Sequence, residues 1–206
     1  MRSRPVIVWF RDDLRLSDHP ALHEAATSGA PVIGLYVLDE ESNALKPPAA
    51  RPLGGATRWW LAQSLRALQA SLGAAGAPLV LRKGPPARVI GEVAREAGAC
   101  AAFWNEIAQA PHLAVAREVK AALASDGVDS QIFPGDLLAA PADIRNKEGR
   151  GLRVFTPFWR RVQSLGDPPK PLPVPKKIAA GPSLTSDALG NWQLEPSRPD
   201  WASGLR

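Results

Sequence analysis

Apolar residues in this chain gather in short runs at residues 6–10, 32–38, 78–81 and 100–104, with a fifth strand expected over 128–133. Between the runs they recur every three or four positions. The runs are short and rich in Val, Ile, Leu and aromatic side chains, which suits strands buried on both faces. The intervening periodicity is helical. A first helix is expected near 20–28, with Asp18 placed to cap it and Pro20 tolerated in its first turn. Leu61, Leu65, Leu68 and Leu72 mark one face of a second helix that should end by Gly76. Val89, Ile90, Val93 and Ala97 mark a third, closed by Gly98, and Val115, Val119 and Leu123 a fourth. Single helices between wholly apolar strands predict an α/β fold. The expected form is a Rossmann-like, doubly wound five-stranded parallel sheet with helices on both faces and right-handed crossovers.

The alternation stops after Phe133. Residues 136–153 are polar and loop-like, and 156–165 can form one short helix opened by Pro157. Prolines 168, 169, 171, 173, 175, 182, 196 and 199 then forbid regular helix or sheet. The organisation read from this is an α/β domain over 1–135, a basic and aromatic segment over 136–165, and an extended Pro-rich linker over 166–206.

Composition narrows the class. An apolar fraction of 45% and a charged fraction of 22% are ordinary for a globular protein. No apolar run reaches membrane-spanning length and the N-terminus lacks a signal-peptide core, so a cytoplasmic protein without membrane contact is expected. The single cysteine, Cys100, lies in an apolar run and reads as a buried thiol. A net charge of +5 permits a polyanionic partner without requiring one. Its distribution is more informative. Arg145, Lys147, Arg150, Arg153, Arg160 and Arg161 face one acid, Glu148, and are interleaved with Phe155, Phe158 and Trp159. This is the best candidate for a phosphate-facing surface.

Parallel sheets bind ligands beyond the carboxyl ends of their strands. At the first such end, where a dinucleotide site would carry glycines, the chain reads Trp9-Phe10-Arg11-Asp12-Asp13-Leu14-Arg15. The pattern continues through Asp18, Ala21 and Leu22. This strand-loop-helix closely resembles the opening of the DNA photolyase and cryptochrome family. Further along, the segment from Gly54 to Leu65 with Arg58-Trp59-Trp60 is similar to the family's second helix, and Phe103-Trp104-Asn105 to its fourth strand. Arg153-Val154-Phe155-Thr156-Pro157-Phe158-Trp159 is similar to the segment entering its interdomain connection.

The resemblance implies a light-harvesting domain. In that family the N-terminal α/β domain holds an antenna chromophore, a reduced folate or a deazaflavin and occasionally a flavin. A C-terminal helical domain holds the catalytic FAD and the lesion pocket, and this chain does not cover that half. The implied partners are that FAD-binding helical domain and, through the complete enzyme, UV-damaged DNA. A cryptochrome-like blue-light sensor or partner-docking module is the alternative. Carried over by position, the antenna cleft would be lined by Arg11, Tyr36, Leu38, Asp39, Arg58, Asn105 and Glu106. Arg150, Arg153, Arg160 and Arg161 would face nucleic acid.

No catalytic residue is expected in this half, and the sequence supplies no Ser-His-Asp order, P-loop or glycine fingerprint. His19 and His23 share a helix face, but no third ligand joins them, so no metal site is expected. His112 reads as a surface residue. Residues 105–112, Asn-Glu-Ile-Ala-Gln-Ala-Pro-His, match neither the folate-using nor the deazaflavin-using pattern of the family, which leaves the pigment open.

Overall fold

The computed structural model describes residues 3–135 and 137–205; Asp136 and Arg206, at the edges of the expected segments, lie outside the described residues. Strands β1 (Val6–Phe10), β2 (Val32–Leu38), β3 (Leu79–Lys83), β4 (Ala101–Asn105) and β5 (Asp129–Phe133) form one parallel sheet in the order β3-β2-β1-β4-β5. Helices α1 (Pro20–Thr27), α2 (Gly55–Ala75), α3 (Pro86–Ala97) and α4 (Ala110–Ser125) alternate with them, and α5 (Phe155–Ser164) follows. This is the doubly wound α/β architecture that the apolar runs predict.

The two-residue period of the strands builds two cores. Val6, Val8, Phe10, Tyr36 and Leu38 point to the face covered by α1 and α2, where Leu22, Leu65, Leu68 and Leu72 are buried. Ile7, Trp9, Leu35 and Trp104 point to the other face, under Ile90 and Val93 of α3 and Val119 and Leu123 of α4. Gly34 is where α2 presses closest, since a Cβ there would stand 3.1 Å from Leu72 Cδ1. Gly76 and Gly98 end α2 and α3 in the left-handed conformation, at φ 102° and 64°.

Two local expectations are corrected. β5 is not apolar throughout: Asp129 and Gln131 are exposed and Ile132 is 38% accessible, because an edge strand is covered incompletely and polar side chains guard it against further pairing. Asp18 does not cap α1. It adopts a positive φ of 49°, and the cap is His19, whose Nδ1 accepts from the Leu22 backbone N–H at 3.1 Å. The carboxylate of Asp18 instead accepts from Leu172 N, while Asp18 N donates to Leu172 O.

That tether also shows how the Pro-rich tail runs: it is extended, as its prolines predict, and docked along the domain. Val32 N donates to Ala179 O and Gly181 N to Val32 O, extending the sheet's hydrogen bonding where β3 has not yet begun. On the outer edge of β3, Leu81 N donates to Ser186 Oγ and Asp187 N to Leu81 O. Ile178, Trp192, Leu194 and Ala202 are buried, and Glu195 pairs with Arg66 and Gln63 on α2. The prolines forbid helix and sheet but not docking along an edge. No helix among the described residues is long and apolar enough to cross a membrane.

Candidate binding cleft

The crevice between β1 and β4, where the strand order reverses, is the usual ligand position in a doubly wound sheet. Here the protein fills it. The first N–H groups of α1 would attract an anion, but Ala21 N donates to Asn105 Oδ1 and Leu22 N to His19 Nδ1. Asn105 Nδ2 then donates to Asp13 Oδ2 at 2.7 Å, and His19 Nε2 stands 3.1 Å from the same oxygen. Asp13 Oδ1 accepts from Arg11 N. Burial alone would raise the Asp13 pKa, but His19, Arg11 N and Asn105 together hold the carboxyl below its ordinary value. Asn105, expected in the cleft, is spent on this buried brace. Glu106 is exposed, bonded through its backbone N–H to Phe133 O, and does not line the cleft either.

The open cavity lies one strand over, beyond the ends of β1 and β2, with a volume of about 380 Å³. Its floor is Phe10, Tyr36 and Leu38. The loop after β2, between Leu45 and Leu53, lines it as well, with Thr57 and Arg58 of α2 from one face of the sheet and His112 and Val115 of α4 from the other. Of the seven residues expected there, Arg11, Tyr36, Leu38, Asp39 and Arg58 are brought together.

Each is held differently. Arg11 is buried, with its guanidinium carbon 4.6 Å from the centre of the Trp9 ring and one nitrogen donating to His112 O at 3.1 Å. Tyr36 is 8% accessible; burial first, then the charges of Asp12 and Asp39, push its phenol above the ordinary value of 10.0. Asp39 Oδ1 accepts from the backbone N–H groups of Glu41 and Ser42, fixing the start of the loop wall. Its Oδ2 is shielded from solvent and has no hydrogen-bond partner, so an acceptor at the cleft is left over. Arg58 pairs with Glu40 and its second nitrogen reaches Trp192 O at 3.5 Å. Lys83 Nζ holds the other Glu40 oxygen at 2.7 Å, and Lys83 foremost, then Arg58, keep that carboxyl below its usual range.

His112, expected at the surface, lines the cleft, because α4 begins with its first turn over Arg11. Lys46 and Arg51 also line it, though nothing in the sequence of a Pro-rich loop marks which charge faces inward.

The basic segment stands apart. Arg150 lies in a turn closed by the Arg145–Gly151 bridge, Arg153 precedes α5, and Arg160 and Arg161 are on it; none lines the cleft. Arg161 Nε donates to Asp143 O. α5 buries none of its residues, and Phe155 stacks on Trp159 with the ring planes 6° apart. Among the described residues no three His, Cys, Asp or Glu side chains gather to hold a metal ion.

A parallel α/β domain with an apolar-floored, charge-rimmed cleft at its strand ends has the form in which small molecules are commonly bound. Comparison with known proteins is more specific. The DNA photolyase family model matches residues 6–176, and the chain belongs to that family. It is 41% identical over 204 residues to the deoxyribodipyrimidine photo-lyase of Agrobacterium fabrum, covering 98% of this chain and 41% of that protein. With cryptochrome-1 of Arabidopsis thaliana it shares 36% identity over 177 residues, 85% of this chain and 25% of that one. The crystal structure of a bacterial class III photolyase from Agrobacterium tumefaciens superposes with a TM-score of 0.89 at 40% identity, covering 98% of this chain and 40% of that one. The chain thus spans about two-fifths of the length of these photolyases.

Proposed function

We propose that this chain is the light-harvesting domain of a DNA photolyase, binding an antenna pigment in the cleft beyond β1 and β2. The observation that carries this reading is the cleft itself. Its volume of about 380 Å³ suits a flat heteroaromatic ring. Phe10, Tyr36 and Leu38 supply a non-polar floor, the spare oxygen of Asp39 an acceptor for a ring N–H, and Arg58 a cation at the rim. Reduced folate, deazaflavin and flavin all fit that donor and acceptor set.

The pigment would supply absorption and excitation transfer when bound. The protein's part is to hold it at fixed distance and orientation. Tyr36 and Leu38 are locked in the sheet, so the floor cannot drift. The Asp39 turn fixes the loop wall, and the Glu40 bridge to Arg58 and Lys83 fixes α2 against the ends of β2 and β3.

In the complete enzyme, reduced FAD in a helical domain would repair cyclobutane pyrimidine dimers in DNA; the present chain alone would not. Residues 166–206 would lead toward that domain, and Arg150, Arg153, Arg160 and Arg161 would meet phosphates. Gel filtration of the chain after incubation with each pigment tests the reading. A pigment that co-elutes and absorbs in the near-ultraviolet or blue supports it, and uptake of none of the three rejects it. Binding without excitation transfer to FAD in the complete enzyme would favour a cryptochrome-like sensor.

A further inference from the structure

The charges around the cleft are not equivalent. Arg11 is buried over Trp9 and engaged with His112, and Arg58 shares Glu40 with Lys83. The acids are committed as well: Glu40 to those two cations, Asp39 to two backbone N–H groups through one oxygen, while Asp12 stands 4.0 Å from His112 Nε2. Lys46 and Arg51 differ. Both are exposed on the loop wall and line the cleft, and neither makes an ion pair or side-chain hydrogen bond among the described residues.

The loop is folded to present them together. Ala49 N and Ala50 N both donate to Lys46 O, so the stretch turns back on itself between the two cations. Pro47, Pro48 and Pro52 stiffen it, which lowers the entropy lost when a ligand fixes the loop. Uncommitted positive charge thus stands at the mouth of a cleft whose floor is apolar. A molecule matching both has a planar ring at one end and an anionic group at the other.

From this arrangement we infer that Lys46 and Arg51 form an anion subsite for the phosphate or carboxylate tail of the ligand whose ring occupies the cleft. The inference rests on the reading of that cleft as a pigment site. A lysine gives a point charge and an arginine a planar fork, so phosphate and carboxylate are both within their chemistry. The subsite then selects among pigments. A flavin mononucleotide or an oligoglutamyl folate would be preferred to a ring carrying only an uncharged ribityl chain.

Two ligand pairs separate the tail from the ring, measured on the 206-residue chain by fluorescence titration. Riboflavin against flavin mononucleotide tests a phosphate tail, and monoglutamyl against pentaglutamyl reduced folate tests how far added tail carboxylates strengthen binding. The more highly charged member of at least one pair should bind roughly tenfold tighter at low salt, as expected of two exposed ion pairs. That margin should shrink as ionic strength rises and vanish in Lys46→Glu/Arg51→Glu, while Lys120→Glu on the outer face of α4 leaves it intact. Equal affinity within both pairs, or a margin untouched by the double reversal, overturns the subsite and leaves the pigment reading standing. Failure of all four ligands, and of deazaflavin alongside them, to bind overturns both.

Discussion

His19 Nε2 lies 3.1 Å from Asp13 Oδ2, with the two side chains 0% and 11% accessible. His19 Nδ1 is already an acceptor for Leu22 N, so the neutral ring carries its proton on Nε2, facing the carboxylate. One aspartate thereby ties the end of β1 to the start of α1 and, through Asn105, to the end of β4. Replacing it with Asn keeps the shape but turns an amide donor toward the donors of His19 and Asn105. Asp13→Asn should cost about 1–3 kcal/mol of unfolding free energy in urea titration. An unchanged midpoint would show that the brace contributes nothing.

The same aspartate sets a pH dependence. Unfolded, it titrates near 3.8; folded, it titrates lower. Its stabilising contribution is therefore complete above the ordinary aspartate range and lost as pH falls through the folded value. Acid unfolding of the unmodified chain should be steeper than that of Asp13→Asn. Parallel curves would place the acid sensitivity elsewhere.

Tyr36 is the chain's single tyrosine, so its ionisation can be read without interference from other phenols. Its raised pKa means that the folded protein keeps the phenolic proton when an unfolded tyrosine, near 10, would lose it. The stabilisation this gives is full below pH 10 and is lost as pH rises through the folded value. Phenolate absorbance should stay flat past the usual midpoint and then rise with unfolding. A normal titration near 10 in the folded chain would mean that Tyr36 is not the buried cleft floor described above.

The tail's attachment can be tested at Gly181, where a Cβ would stand 2.5 Å from Ile33 Cγ1 and 3.2 Å from Val32 O. Gly181→Ala should prise residues 178–187 from β2 and β3, at about 1–3 kcal/mol. Limited proteolysis should then cut within that stretch faster than in the unmodified chain. Unaltered protection would argue that the docked tail adjusts freely.

For the basic segment, Arg160→Glu/Arg161→Glu in the complete enzyme should weaken binding to duplex DNA and reduce the slope of log K against log salt by about 2. An unchanged slope assigns those arginines to some other surface.

The parallel fold was legible because β1 and β2 are apolar on both faces, β3 and β4 are so until their last residues, and Gly76 and Gly98 stop their helices where the periodicity ends. What stayed hidden depends on partners distant in sequence. Asp18 has the chemistry of a cap, yet its carboxylate is taken by Leu172, 154 residues away. Asn105 ends β4 as a cleft residue should, but the first turn of α1 claims it. The cleft positions of Leu38 and Asp39 follow from a strand end, and those of Tyr36 and Arg58 from the family resemblance. Those of His112, Lys46 and Arg51 depend on how α4 and a proline-stiffened loop close over the sheet. The tail's prolines spoke only against regular structure, and its docking rests on Ile178, Trp192 and Leu194, scattered apolar residues without a period.

The central claim is that the cleft beyond β1 and β2 holds a light-absorbing ligand. Thr57 lines that cleft from the exposed first turn of α2, so Thr57→Trp fills its mouth without touching either core. Equilibrium dialysis of the unmodified and Thr57→Trp chains against reduced folate, deazaflavin and flavin tests the claim most directly. At least one pigment should bind the unmodified chain and be lost from the variant while its circular dichroism is unchanged. Binding that survives the filled cleft, or no binding to either chain, would contradict it.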